Sequence, residues 1–302
     1  MIPIIYSEEF LEHNTGYGHP ERAARLTAVV SALKEVPWKD SLEWRSPKLR
    51  DDTLDYIQKI HTSQHIKRVQ QIALSGGGYL DPDTVVSPRS YEVALLAVSA
   101  WLDGIDLVLE RKNPAFVLSR PPGHHALRDR GMGFCLFANA AVAAYYALEQ
   151  PGINRVAIVD WDVHHGNGTE AIVEDNPQII YCSLHQSPCY PGTGQSDYRG
   201  KQHNVLNLPV TSGSTIRDYE PLFTERVIPF LQDFQPDIAI VSAGYDANDL
   251  DPLANVSLKP DDYGLLTKHL KKLNSRLLFG LEGGYHLETL ANSVVATLTS
   301  CM

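Results

Sequence analysis

Two histidine pairs, a set of aspartates and a tyrosine behind two glycines carry the reactive chemistry of this 302-residue chain. In Asp162-Val163-His164 the side chains at i and i+2 fall on one side of an extended strand end, so both reach one cation. Asp246, after another apolar run, offers a third ligand. An Asp–His–Asp set with an open position suits a catalytic divalent metal of the zinc or iron(II) type. A lone Asp-x-His is more often a hydrogen-bonded core histidine beside helix-capping carboxylates; Asp246 and the tandem histidines shift the balance toward a metal. His124-His125 follow Gly123 at a different strand end, and their side chains diverge. One can orient water while the other shuttles a proton; metal ligation or a buried hydrogen-bonded pair is the alternative. Tyr285 follows Glu282-Gly283-Gly284, where the backbone can turn sharply and present a phenol to a developing oxyanion. A packed core tyrosine is the plainer reading. Together these parts describe metal-assisted hydrolysis, with His125 or His124 as base and Tyr285 as oxyanion donor. No phosphate loop, nucleophile elbow or cysteine nucleophile competes.

Such a site needs a scaffold that brings distant segments to one edge. Short apolar runs at Ile2–Tyr6, Ala115–Ser119, Arg155–Asp160, Ile179–Leu184, Asn204–Leu208, Asp237–Ala243 and Arg276–Leu281 read as strands. Helical patterns fall at Glu21–Glu35, Ser90–Glu110, Leu136–Leu148, Ile216–Phe234, Asp261–Leu273 and Leu287–Leu298. Continuous apolar strands alternating with helices predict one parallel α/β sheet covered on both faces. In such a sheet ligands bind beyond the carboxyl ends of the strands. Four of the strands run directly into RPPGHH (120–125), DWDVHHGNG (160–168), Tyr245-Asp246 and EGGYH (282–286). No repeat, linker or charge block interrupts the chain, so a single domain over 1–302 is expected.

The formal charge of −10 and the absence of a basic stripe argue against direct nucleic-acid binding. Four cysteines (Cys135, Cys182, Cys189, Cys301) form no CxxC pair, which fits a reducing compartment. The start, MIPIIYSEEF, lacks a basic region, and the longest apolar stretch, Phe134–Leu148, is shorter than the roughly 20 residues of a membrane helix. A cytoplasmic protein with no membrane partner is expected.

At these residues the sequence resembles the zinc-dependent histone deacetylase family, which includes bacterial deacetylase-like amidohydrolases and acetylpolyamine amidohydrolases. The matching segments are HPERAARL (19–26), IHTSQHI (60–66), RPPGHHA (120–126), GMGFCLFANAAVAA (131–144), VDWDVHHGNGT (159–169), SLHQSPCYPGTG (183–194), SAGYDA (242–247) and LEGGYH (281–286). The wording is closest to the class II-like branch. The resemblance implies the three-layer arginase/deacetylase fold, a mostly parallel sheet of about eight strands between helices. It makes Asp162, His164 and Asp246 the ligands of a catalytic Zn2+, with Fe2+ the alternative occupant. It makes His124 and His125 the acid–base pair, Asp160 and Asn167 their respective partners, and Tyr285 the carbonyl-polarising residue. Many relatives carry Asp where Asn167 stands, and a neutral partner raises the basicity of His125 less. A structural K+ is implied at Asp160, Asp162, His164, Ser183 and Leu184.

The resemblance also implies substrate walls at Phe134 and Tyr190, with Gly133 beside them as a backbone acceptor. Phe134 reads equally well as a core aromatic heading a helix. Arg22 matches an arginine associated with an exit route for acetate. At the position of a gatekeeper glutamate in polyamine-selective relatives this chain has Leu253, which leans toward an acetylated lysine in a peptide or protein. Acids in an inserted loop serve bacterial polyamine enzymes, and Asp81 and Asp83 before Pro88 keep an acetylated polyamine open as substrate. Two other classes compete. A two-metal ureohydrolase on this fold would need a carboxylate where Gly166 stands. An inactive binding protein would be expected to have lost a ligand or the tyrosine, and this chain keeps them all.

Overall fold

The computed structural model describes all residues, 1–302. Ten strands occur along the chain: β1 (Ile2–Ile5), β2 (Leu42–Arg45), β3 (Gly78–Tyr79), β4 (Val85–Val86), β5 (Ala115–Val117), β6 (Val156–Asp160), β7 (Ile179–Gln186), β8 (Val205–Val210), β9 (Ile238–Ala243) and β10 (Leu277–Leu281). Eight form one sheet in the order β2-β1-β5-β10-β9-β6-β7-β8, with every pairing parallel. β3 and β4 make a small antiparallel hairpin at the side.

The central strands β5, β10, β9 and β6 are buried at every residue, as their unbroken apolar runs require when helices cover both faces. Neighbouring residues of β10 show the two layers. A side chain at Gly280 would strike Trp101 of the helix Ser90–Arg111. Phe279, pointing the opposite way, packs on Trp161, which in turn meets Tyr263 of the helix Pro260–Leu273. The helices Ala24–Glu35 and Leu287–Cys301 join the Tyr263 layer, and Thr53–Ile60 and Asn139–Leu148 join the Trp101 layer. No helix is long and apolar enough to cross a membrane. All four cysteines are free thiols.

All seven expected strands occur with ends shifted by a few residues, and the three-layer parallel α/β sheet is as expected. The expected helix Ile216–Phe234 is instead broken by a π turn at Phe223–Val227. Pro221 and Pro229 lack the N–H groups that two i→i−4 rungs would need, and the ladder slips by one residue between them. Two further helices start later than their apolar patterns, at Ala24 and Asn139. The edge strand β2, the β3–β4 hairpin and the helices Thr53–Ile60, Ser63–Leu74 and Asn167–Val173 lie outside the expected elements.

Glu21 sits outside the helix because its carboxylate is the centre of a buried ion cluster. Arg120 grips it with Nε and Nη2 at 2.5 and 2.6 Å, and Arg25 Nη1 lies at 3.1 Å. Burial by itself would raise the Glu21 carboxyl; Arg120 and then Arg25 outweigh it and hold the group down at about 2. Arg120 is the residue that leads from β5 into the tandem histidines, so this cluster anchors the site from below. Glu21→Gln leaves two buried guanidinium groups without a counter-charge and is expected to cost about 3–5 kcal/mol of unfolding free energy at neutral pH. The depressed carboxyl stabilises the fold fully above its unfolded value near 4.5 and loses that contribution as pH falls toward 2. Denaturant titrations should therefore show the gap between wild type and variant narrowing over that acid window; a constant gap would refute the assignment.

Candidate active site

The four segments singled out in the sequence leave the carboxyl ends of β5, β10, β9 and β6, which are adjacent at the centre of the sheet. β10 lies between β5 and β9, so the chain order reverses here and a crevice opens above the strand ends.

Asp162, His164 and Asp246 bring their ligand-type atoms within 4.8 Å of one another, and all three are buried. His164 Nδ1 lies 3.2 Å from Asp162 Oδ1 and 3.1 Å from Asp246 Oδ2. Main-chain donors fix both carboxylates: Gly283 N to Asp162 Oδ2 at 2.8 Å and Val163 N to Asp246 Oδ1 at 2.9 Å. Three glycines make this cradle possible. A Cβ at Gly244 or Gly283 would fall 2.1–2.2 Å from a carboxylate oxygen of Asp162 or Asp246. One at Gly166 would meet Asp160 Oδ2 at 2.1 Å, so the carboxylate that a two-metal ureohydrolase needs there has no room.

No lysine or arginine pairs with these two buried aspartates; their only cationic partners are His124 and His164. Burial raises a carboxyl, yet His124 and His164 pull Asp162 well below the ordinary range. The same carboxylates push His164 well above its ordinary value. Two buried carboxylates around one imidazole fit a divalent cation, which would replace the proton on His164 and neutralise the pair. A second trio, His124, Cys135 and Glu282, is also close together. It fits a metal less well. Glu282 already accepts from Gly123 N, His124 N and Ser242 Oγ, and burial keeps the Cys135 thiol well above its usual value.

His124 and His125 are buried with ring centroids 4.0 Å apart. His124 Nδ1 meets Asp160 Oδ2 at 3.1 Å, and His125 Nδ1 meets Asn167 Oδ1 at 2.8 Å. Burial lowers both, but Asp162 and Asp160 reverse this for His124 and take it to about 10. His125 has only the neutral Asn167, and burial with the neighbouring His124 and His164 leaves it well below 6.5. Charge and burial thereby push the two histidines apart, His124 upward and His125 downward.

A cavity of about 210 Å³ opens onto this group, lined by Asp83, His125, Gly133, Phe134, His164, Tyr190, Leu253 and Tyr285. Phe134 is half-buried on the cavity wall, which sets aside its reading as a core aromatic. Its φ of +68° is a left-handed conformation costly for a bulky residue, of the kind held in place at ligand sites. Gly133 has φ +55°, and a Cβ there would strike His125 Cδ2 at 2.4 Å, so only glycine lets this wall close on the histidine. Phe134 meets Tyr285 edge-on at 5.9 Å, and Tyr190 meets His125 at 5.0 Å. Ser183 pairs with Asp160 across β6 and β7, with Leu184 next along the strand.

One correction concerns Arg22, which is exposed. Arg25 is the buried arginine: it donates to Gly284 O at 2.6 Å and Glu282 O at 2.5 Å and lies 5.0 Å over the Tyr285 ring. Arg22 precedes the helix, which begins at Ala24, and Arg25 is buried in its first turn. Glu282 and Asp251 are also buried against the site, and the sequence gives no sign of what either touches. Asp83, named only for its charge, reaches the cavity because the β3–β4 hairpin folds over it.

A parallel sheet with paired histidines, buried aspartates and a tyrosine around a narrow apolar cavity defines a hydrolase of amide bonds. The histone deacetylase domain matches residues 19–301, and this chain belongs to that family. It is 55% identical over 299 residues to the uncharacterized protein slr0245 of Synechocystis, covering 99% of this chain and 98% of the relative. It is 37% identical over 280 residues to the histone deacetylase-like amidohydrolase of Pseudomonas aeruginosa, covering 89% and 73%. The crystal structure of the HDA15 HD domain superposes with a TM-score of 0.93 at 36% identity, covering 99% of this chain and 90% of that one. The protein is a hydrolase of the deacetylase and amidohydrolase type.

Proposed function

We propose that the enzyme removes acetyl groups from the side-chain amine of acetyl-lysine in peptides or proteins and releases acetate. The observation that carries this reading is the cavity itself. Phe134, Tyr190 and Leu253 form apolar walls that admit a linear methylene chain, and His125, His164 and Tyr285 lie along the same space. Asp162, His164 and Asp246 would hold one Zn2+, or Fe2+ in its place, which when bound polarises the amide carbonyl and acidifies water. A structural K+ among Asp160, Asp162, His164, Ser183 and Leu184 belongs to the same reading.

Asn167 Oδ1 accepts the Nδ1 proton of His125, which leaves Nε2 as the free base. His125 Nε2 takes the water proton as the oxygen adds to the carbonyl carbon. The imidazolium then gives that proton to the amine nitrogen as the C–N bond breaks. Asp160, bonded to His124 Nδ1, favours the charged form of that imidazole, which places positive potential beside the developing oxyanion. Burial holds the Tyr285 phenol well above its usual value, so it remains a hydrogen-bond donor to that oxygen at neutral pH.

A pH profile tests this division. Because His125 must be unprotonated and lies well below 6.5, kcat/KM should stay level through neutral pH and fall only on the acid side of 6.5. Asn167→Asp adds a carboxylate to Nδ1, raises His125, and should move that acid limb upward by about one unit. An unmoved limb would exclude His125 as the base.

Asp83 on the cavity wall favours a second reading, an acetylated polyamine whose distal ammonium needs an anion. Acetate release from an acetyl-lysine peptide and from N-acetylputrescine, at equal concentration with the zinc-loaded enzyme, decides between them. A peptide preference is expected. A strong polyamine preference would replace the lysine reading, and hydrolysis of neither would remove both.

A further inference from the structure

Two side chains that line the cavity, Leu253 and Tyr285, are separated by 32 positions in sequence, yet their main-chain amides meet one carboxylate. Asp251 Oδ1 accepts from Leu253 N at 3.0 Å, and Asp251 Oδ2 accepts from Tyr285 N at 2.6 Å and His286 N at 3.4 Å. Asp251 is only 6% exposed, and no lysine, arginine or histidine pairs with it. A buried carboxylate without an ion pair is costly unless hydrogen bonds repay it, and here main-chain amides are what it holds. Burial, with Asp246 adding to it, pushes this carboxyl up to about 7, as expected for a group kept there without a counter-ion.

Both ends of this connection lie outside helices and strands. Tyr285 follows Gly284, whose φ of +116° is a conformation nearly confined to glycine. Arg25 holds the carbonyls of Glu282 and Gly284 from one side, and Asp251 takes the amides of Tyr285 and His286. Leu253 lies in a segment with little regular structure and is 36% exposed at the cavity mouth. Asp251 itself is fixed to Asn248, whose side-chain amide bonds to Tyr245 O and Ser293 Oγ on the helix Leu287–Cys301.

We propose that Asp251 is a positioning residue that locks the rim segment carrying Leu253 to the turn carrying Tyr285, so that fit of the substrate chain at the mouth and placement of the phenol at the carbonyl are set together. A loose rim would then misplace the tyrosine, and a displaced tyrosine would open the rim. A capping role alone would need only the local bond to Leu253 N. The inference rests on the deacylase reading for its kinetic consequences and on geometry alone for its dynamic ones.

Asp251→Asn keeps the size but turns one acceptor oxygen into an amide that faces an N–H. With metal content unchanged, kcat is expected to fall about 10- to 100-fold, the scale of a misplaced reacting group. The ratio of peptide to N-acetylputrescine turnover should shift several-fold at the same time. Amide hydrogen exchange should accelerate together at Leu253 and at Tyr285. A fall in kcat with the substrate ratio and the Leu253 exchange unmoved would reduce Asp251 to a support for the tyrosine alone and overturn the coupling. Wild-type kinetics and wild-type exchange in the variant would overturn it entirely. If the variant does not fold, exchange in the wild-type protein decides: equal opening of the two amides is expected, and unequal opening refutes the link. Wild-type enzyme that hydrolyses neither substrate would sink the deacylase reading, while the exchange measurement would still judge the coupling.

Discussion

Tyr285→Phe is expected to lower kcat by about 10²–10³ while leaving metal content and fold intact, the loss seen when one oxyanion donor is removed. The ring itself makes the packing contacts, to Phe134 edge-on at 5.9 Å and to the Arg25 guanidinium at 5.0 Å, and phenylalanine keeps both. The substitution therefore subtracts a hydroxyl and little else. Because the hydroxyl acts on the oxygen as charge develops, KM should change far less than kcat. Steady-state kinetics on an acetyl-lysine peptide, with metal analysis of the same sample, make the check. Near-normal turnover would remove Tyr285 from the chemistry.

Asp246→Ala should have the larger effect, by a different route. The variant keeps Asp162 and His164 but loses the oxygen 3.1 Å from His164 Nδ1 and one of the two buried charges that call for a cation. Bound metal measured by mass spectrometry should drop from about one equivalent to a small fraction of that, as expected when a three-ligand site loses a member. Activity should fall further than in Tyr285→Phe, since loss of a supporting contact outside the metal's own ligands already costs roughly 10–100-fold. A variant that still holds a full equivalent of metal would break the ligand assignment. Asp246 also accepts from Val163 N, so thermal melting of the metal-free forms shows how much of the change is structural.

Period and polarity make the centre of this molecule legible in its sequence. β5, β6, β9 and β10 are apolar throughout because helices cover both faces, and each runs without a break into a segment rich in His, Asp or Tyr. Convergence of four such segments needs only a parallel sheet, and the structure sets them side by side. β2 is hard to read because its sequence, Leu-Glu-Trp-Arg, is that of an edge strand with one partner and only Leu42 buried. Asn167 was read as a partner of His125, but the short helix that begins at it carries no apolar stripe. Arg22 and Arg25 differ by three positions, so only the actual start of the helix at Ala24 tells which one faces inward. Asp251 is the clearest case of what sequence conceals: its partners are main-chain amides, which have no identity in the sequence.

The order of the sheet has a thermodynamic consequence. Asp162 and His164 follow β6 and Asp246 follows β9, two strands adjacent in space but joined through some eighty residues of chain. An unfolded chain therefore cannot present these three candidate ligands together, and a cation that bound them would bind the folded state alone. Each tenfold excess of free metal over its dissociation constant then adds about 1.4 kcal/mol to the unfolding free energy. The melting temperature of this protein should read the concentration of its cofactor, so the centre that performs the chemistry doubles as a sensor of whether the sheet has closed.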